Sequence, residues 1–273
     1  MEQKNKSREE LLKELQKMIG LTRVKQEVES QMNLVQLNQA RIRQGKTEQK
    51  PNLHMVFEGD PGTGKTTVAR MVGELYRSIG LLRKGHVVGV SGKDLIAGFV
   101  GQTATKTNDV IQEALGGVLF IDEVHSLADN GFGMEAVSTL IQAMENHRDD
   151  LVVIAAGYPQ EMERFLKSNS GLKSRFGTII HFDSYSIEEL MGIFDSMCKK
   201  NQITPTGEAR EKVRQYLQTE MDEPEFGNGR AVRNLYEKML LGQANRYNAT
   251  GSEETLDSFV ASDVPVPDQA EAH

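Results

Sequence analysis

The stretch GDPGTGKT, Gly59 to Thr66, constrains this chain more than any other. It follows the apolar run LHMVFE and precedes KTTVARMVGELYRSI, where apolar residues recur at helical spacing. A G-x-x-x-x-G-K-[ST] pattern between a strand and a helix predicts a loop that binds phosphate. Gly62 and Gly64 let the backbone curl until successive N–H groups point at one anion. The helix that follows adds the positive end of its dipole. Lys65 supplies a cation for the outer phosphates, and Thr66 offers a hydroxyl to Mg²⁺. The candidate contacts are therefore Gly59, Asp60, Pro61, Gly62, Thr63, Gly64, Lys65, Thr66 and Thr67.

A phosphate loop that turns over needs a second metal ligand and a group to position water. GVLFIDE provides both, because its apolar residues read as a buried strand that delivers Asp122 and Glu123 at its C-terminal end. In open α/β sheets ligands bind at that edge. Asp122 is the expected partner of Thr66 in holding Mg²⁺, and Glu123 is the expected group that orients or polarises water. A strand can also simply end in a solvated acidic pair, but a plain binding site has no need of Glu123. The pair of motifs predicts nucleotide hydrolysis.

The surrounding text fits such a site. LHMVFE, HVVGVS, GVLFID, LVVIAA and TIIHF read as strands, with helical stretches between them. Strands that are apolar throughout and alternate with helices predict a parallel sheet covered on both faces. Two helices precede the sheet: SREELLKELQKM, with Ser7 and Glu10 at capping-box spacing, and TRVKQEVESQMNLVQLNQARIRQ. A polar linker, GKTEQKPN, ends this N-terminal part near residue 50. The nucleotide-binding core is expected over residues 51–183, a helical domain over 184–250 beginning at the Ser186/Glu189 capping box, and a disordered tail over 251–273.

Composition narrows the partners. A formal net charge of -7 gives no electrostatic reason to expect nucleic-acid binding, and VLFI and LVVIAA are too short to span a bilayer. A single cysteine, Cys198, fits a reducing compartment and is expected as a small buried side chain. The expectation is a cytoplasmic protein without membrane insertion.

Three further features fit a site completed by a neighbouring subunit, each with a plainer reading beside it. Arg175 in SGLKSRF, placed in a loop before TIIHF, is either a surface arginine in a salt bridge or a finger into the next subunit's site. Arg230 and Arg233 in GNGRAVRN are either a solvated helix face or sensors of their own subunit's phosphates. Ile19, Gly20 and Leu21 in MIGLTRVK either wrap the base or form a turn between helices.

The ordered set IGLTRVK, GDPGTGKT, FVGQTATKT, GGVLFIDE, VVIAAGY, GLKSRF and GNGRAVRN resembles the AAA+ ATPases. More narrowly, it is similar to the group of stage V sporulation protein K, the red-type Rubisco activases and the ATPase domains of type VII secretion proteins. The resemblance runs from about Glu10 to Asn248. It implies an α/β fold: an αβα parallel-sheet nucleotide domain followed by a small helical lid. It also implies ATP and Mg²⁺ as ligands and a homo-oligomeric ring, usually a hexamer. By resemblance, Glu123, Lys65, Arg175 and Arg230 carry catalysis, Arg230 in its own subunit and Arg175 in the neighbour's. Phe99, Val100 and Gly101 match the aromatic–aliphatic–glycine triplet that grips polypeptide in the central pore of such rings; the plainer reading tucks Phe99 into the core. Two departures stand out. Gly157 and Tyr158 occupy the place of the usual polar sensor, and Lys173 stands where the group often has arginine. The function implied is ATP-driven remodelling of a protein client, against the alternatives of an ATP-dependent assembly switch or a nucleic-acid motor.

Overall fold

The computed structural model describes residues 6–47, 51–98, 101–128, 131–224, 226–251 and 256–266. By its internal contacts the chain forms two compact units. One comprises residues 1–59 and 64–182; the other comprises residues 60–63 and 183–273.

The first unit opens with α1 (Arg8–Lys17), whose N-cap Ser7 and Glu10 form the reciprocal capping box expected from their spacing. The long α2 (Thr22–Arg43) follows. Five strands and their crossover helices come next: β1 (Met55–Gly59), α3 (Lys65–Ser78), β2 (Val87–Ser91), α4 (Gln102–Ala114), β3 (Gly117–Asp122), α5 (Gly131–Asn146), β4 (Leu151–Gly157), α6 (Pro159–Ser168), α7 (Ser170–Arg175) and β5 (Thr178–Phe182). All pairings in this sheet are parallel, in the order β2-β3-β4-β1-β5.

Alternation along the strands sorts the core into two faces. Val56, Leu119, Ile121, Val153 and Ala155 pack with Ile111 of α4, Leu140 of α5 and Phe165 of α6. On the other face Gly73 of α3 lies against Val118, and the rings of Phe57 and Phe182 meet at 5.0 Å. Strands β3 and β4 are buried along almost their whole length, as a sheet covered on both sides requires.

His54 enters β1 as a buried polar residue. Its Nδ1 accepts from the Val153 N–H at 3.0 Å and its Nε2 lies 3.3 Å from the Met144 carbonyl, so the neutral ring with the proton on Nε2 satisfies both. Burial, the largest cause, with the Arg175 charge nearby, pulls its pKa down from 6.5 to about 4. A lowered folded-state pKa means that protons favour the unfolded chain. This contribution is therefore complete above pH 6.5 and lost as pH falls towards 4, at about 1.4 kcal/mol per pH unit and about 3 kcal/mol in all. Urea unfolding between pH 7 and 4.5 should show this slope. His54→Leu should lower stability at pH 7 and flatten the slope.

The second unit holds α8 (Ile187–Lys200), with its Ser186/Glu189 capping box, then β6 (Thr204–Pro205), α9 (Gly207–Met221), α10 (Gly229–Thr250) and β7 (Ser258–Phe259). Leu190, Phe194, Val213, Leu217, Val232, Tyr236 and Met239 form its core. Cys198 is buried there, and burial pushes its thiol up to about 12, which keeps it protonated. The expected disorder from residue 251 is corrected over residues 256–266. Phe259 is fully buried against Phe194 and Tyr236, β7 pairs parallel with β6, and Asp263 forms a bidentate ion pair with Arg246 at 2.9 Å. The strand is only two residues long and its buried apolar residues, Phe259 and Val264, are five apart, so it carried no periodic signal. Among the described residues no helix is long and apolar enough to cross a membrane.

Candidate nucleotide site

Because the strands are parallel, β1, β3 and β4 deliver Gly59, Asp122 and Gly157 to one edge of the sheet. The register places Ser91 of β2 beside Asp122, and Gly157 beside Glu58. The phosphate loop and the acidic pair therefore emerge on the same side, as expected from their positions at strand ends.

In the loop, Gly59, Gly62 and Gly64 have φ of 150°, 72° and 99°. Gly62 can be nothing else: a Cβ there would lie 1.9 Å from the Gly227 carbonyl oxygen. Lys65 opens α3, and its Nζ donates to the Gly59 carbonyl at 2.6 Å. Thr66 and Thr67 are exposed in the first turn of that helix. Thr63 is buried and its hydroxyl donates to the Asp60 carbonyl at 2.8 Å. No described residue accepts a hydrogen bond from the backbone N–H of Gly62, Thr63 or Gly64. Three consecutive unclaimed amides at the start of a helix form an anion-binding concavity.

At the end of β3, the Asp122 carboxylate accepts from the Glu123 N–H at 3.1 Å. Glu123 is exposed and adopts φ 47°, a conformation that costs a non-glycine residue about 1–3 kcal/mol. Its carbonyl accepts from both the N–H and the hydroxyl of Ser126, which holds the turn. Asp122 and Thr66 provide oxygen donors, the set that suits a hard divalent cation. His125 Nδ1 lies 2.8 Å from Glu161 Oε2. A Cβ at Gly157 would come within 3.0 Å of Met162 Sδ and 3.7 Å of that same His125 nitrogen. The place of the usual polar sensor is thus crowded by Met162, with His125 beside it.

The other candidates fall elsewhere. Ile19 and Gly20 lie half-buried in the turn between α1 and α2, which Lys25 braces by donating to the Gln16 and Met18 carbonyls. Gly20 and Leu21 both take positive φ, and α1 packs against α3. Arg175 is not in a loop, as its sequence context suggested, but ends the short helix α7, whose N-cap is Asn169. Asn52 donates to its carbonyl, and its guanidinium pairs with Glu145 at 3.0 Å. It borders a cavity lined by Pro51, His54 and Arg148, ahead of β1 and therefore at the N-terminal edge of the sheet. A five-residue strand spans about 16 Å, so Arg175 is remote from the loop that follows β1 in its own chain. Lys173 is exposed on α7, and Gly101 caps α4 at φ 80°. Phe99 and Val100 lie outside the described residues.

In the second unit, Arg230 and Arg233 are exposed in the first two turns of α10. Sequence reasoning passed over three of their neighbours. Ser184 Oγ donates to Asp60 Oδ2 at 2.6 Å, Tyr185 Oη donates to the Thr63 carbonyl at 3.1 Å, and Asn228 Nδ2 donates to the Pro61 carbonyl at 3.2 Å. Burial pushes the Tyr185 phenol up to about 12, so it remains a donor. The available signal was the polar residue between the two glycines of GNGR.

Comparison with known proteins agrees with this geometry. Residues 55–184 match the model of the ATPase family associated with various cellular activities (AAA), and residues 186–273 match the AAA lid domain. The chain is 43% identical over 247 residues to the chloroplastic ribulose bisphosphate carboxylase/oxygenase activase of Cyanidioschyzon merolae, covering 89% of this chain and 84% of that protein. It is 43% identical to protein CbbX of Cereibacter sphaeroides, with coverage of 93% and 83%. To stage V sporulation protein K of Bacillus subtilis it is 41% identical, with coverage of 89% and 79%. Among solved structures, the ADP complex of the FIGL-1 AAA domain matches with a TM-score of 0.62 at 19% identity, covering 93% of this chain and 85% of that one. The Thermotoga maritima RuvB Holliday junction branch migration motor matches at 0.57 and 20%, with coverage of 91% and 68%. These two likenesses concern the fold alone. The five-stranded parallel sheet, its phosphate loop and the helical lid, taken with these relatives, make the chain a member of the AAA ATPase family, in the group of the Rubisco activases, CbbX and stage V sporulation protein K.

Proposed function

We propose that this chain is a Mg²⁺-dependent ATPase that assembles into a homo-hexameric ring and remodels a protein client drawn into the central pore. The observation that carries the ring is the position of Arg175. It stands at the opposite edge of the sheet from its own phosphate loop, too far to serve that loop itself.

The residues fit the ligands. The amides of Gly62, Thr63 and Gly64 and the Lys65 ammonium bind the phosphates, Lys65 exchanging the Gly59 carbonyl for phosphate oxygen. Thr66 and Asp122 would hold Mg²⁺, which supplies neutralisation of phosphate charge when bound. Glu123 orients water and accepts its proton. Arg230 contacts the phosphates in its own subunit, and Arg175 stabilises transition-state charge in the neighbour's. Ile19 and Gly20 border the base. The relatives' names support a Rubisco-activase-like or a sporulation-associated role. The net charge of -7 weighs against nucleic acid.

The test is a trap. Glu123→Gln protein held with ATP should retain a client protein from its native extract, and adding Phe99→Ala should release it. Equal retention without Phe99 would remove the pore triplet from the account, and no retention in either form would favour an assembly switch.

A further inference from the structure

Asn228 carries a conformation that its residue type disfavours. Gly227, Asn228, Gly229 and Arg230 form a tight turn closed by the Arg230 N–H donating to the Gly227 carbonyl at 2.9 Å. Asn228, at the first central position, has φ 49° and ψ -125°. Those angles are those of a type II′ turn, where glycine is the unstrained choice. Yet the residue is asparagine, fully buried, and its whole carboxamide is engaged. Oδ1 accepts from the Tyr185 N–H at 2.9 Å, and Nδ2 donates to the Pro61 carbonyl at 3.2 Å and to Ser184 Oγ at 3.3 Å.

These bonds belong to a row. The Pro61 carbonyl is held by Asn228, the Gly62 carbonyl by the Gly229 N–H at 3.1 Å, and the Thr63 carbonyl by Tyr185 Oη at 3.1 Å. In a trans peptide the C=O of one residue and the N–H of the next point in opposite directions. Holding these three carbonyls on one side therefore turns the N–H groups of Gly62, Thr63 and Gly64 to the other. Those are the amides that no described residue claims.

We propose that Asn228 is a positioning residue of the nucleotide site. Its buried carboxamide, with Tyr185, fixes the peptide planes of Pro61–Thr63 so that three consecutive amides face the phosphates. The inference rests on the reading of Gly59–Thr66 as a nucleotide loop, and its test has an arm that needs no nucleotide.

The variants are Asn228→Gly, which suits the turn and removes the carboxamide; Asn228→Asp, which keeps the acceptor for Tyr185 and loses the donor; and Tyr185→Phe, which leaves the turn beside Arg230 intact. In nucleotide-free protein, amide exchange at Gly229, whose N–H the Gly62 carbonyl accepts, should become at least about tenfold faster in Asn228→Gly, with the cooperative thermal transition retained. ADP titration should show binding weakened at least about tenfold, and KM for ATP should rise while kcat at saturation stays within about threefold. Tyr185→Phe should move the same quantities in the same direction by less. If Asn228→Gly fails to fold, Asn228→Asp and Tyr185→Phe give the same readouts. Unchanged exchange would overturn the latch whether or not the protein binds nucleotide. Faster exchange with ADP affinity within twofold of wild type would overturn its role in binding. Wild-type protein that binds no ADP would instead refute the nucleotide reading, with the exchange result still deciding the latch.

Discussion

Glu123→Gln protein should bind ATP with wild-type affinity and hydrolyse it about 10²–10⁴-fold more slowly, the range expected for removal of a general base. Glu123 emerges from the end of β3 beside Asp122, and its strained turn is held by Ser126 rather than by its own side chain. Glutamine keeps the size and the backbone but cannot take a proton. Fold and nucleotide affinity should therefore survive while turnover does not. Binding is measured by ADP and ATP titration and turnover by phosphate release. A variant with normal turnover would remove Glu123 from the chemistry.

Arg175→Ala should lose about 10³-fold or more in kcat, equivalent to about 4 kcal/mol of transition-state stabilisation, with nucleotide affinity kept. The same residue pairs with Glu145 at 3.0 Å, its side chain a third exposed. A salt bridge so exposed contributes at most about 1 kcal/mol to stability, so a purely structural Arg175 predicts a small loss of stability and little else. The two roles thus separate by magnitude and by observable. The thermal midpoint should barely move if the arginine acts in the neighbour's site.

The sheet and its phosphate loop were legible because their signals are local. GDPGTGKT needs its glycines within eight residues, and GVLFID announces a buried strand by being apolar throughout. The capping boxes at Ser7 and Ser186 mark their helices for the same reason. What escaped depended on distant partners. Phe259 finds its strand only because Phe194 and Tyr236 cover it. Arg175 lies between the fourth strand and TIIHF, which suggested a loop, whereas Asn169 caps a short helix there. Asn228 lies inside a motif that drew attention to its arginines, and nothing in its neighbours announces that its partners are at positions 61, 184 and 185. The pairing of Glu145 with Arg175 is likewise a fact of tertiary structure alone.

The most direct test of a site shared between copies is a mixing experiment. Glu123→Gln subunits lack the base but carry Arg175. Arg175→Ala subunits lack the finger but carry Glu123. Each should be nearly inactive alone. Mixed in equal amounts and allowed to exchange, they should regain a substantial part of wild-type phosphate release, because an Arg175→Ala site beside a Glu123→Gln neighbour is complete. A mixture that exchanges subunits yet stays as inactive as its components would contradict the account and return Arg175 to its own chain.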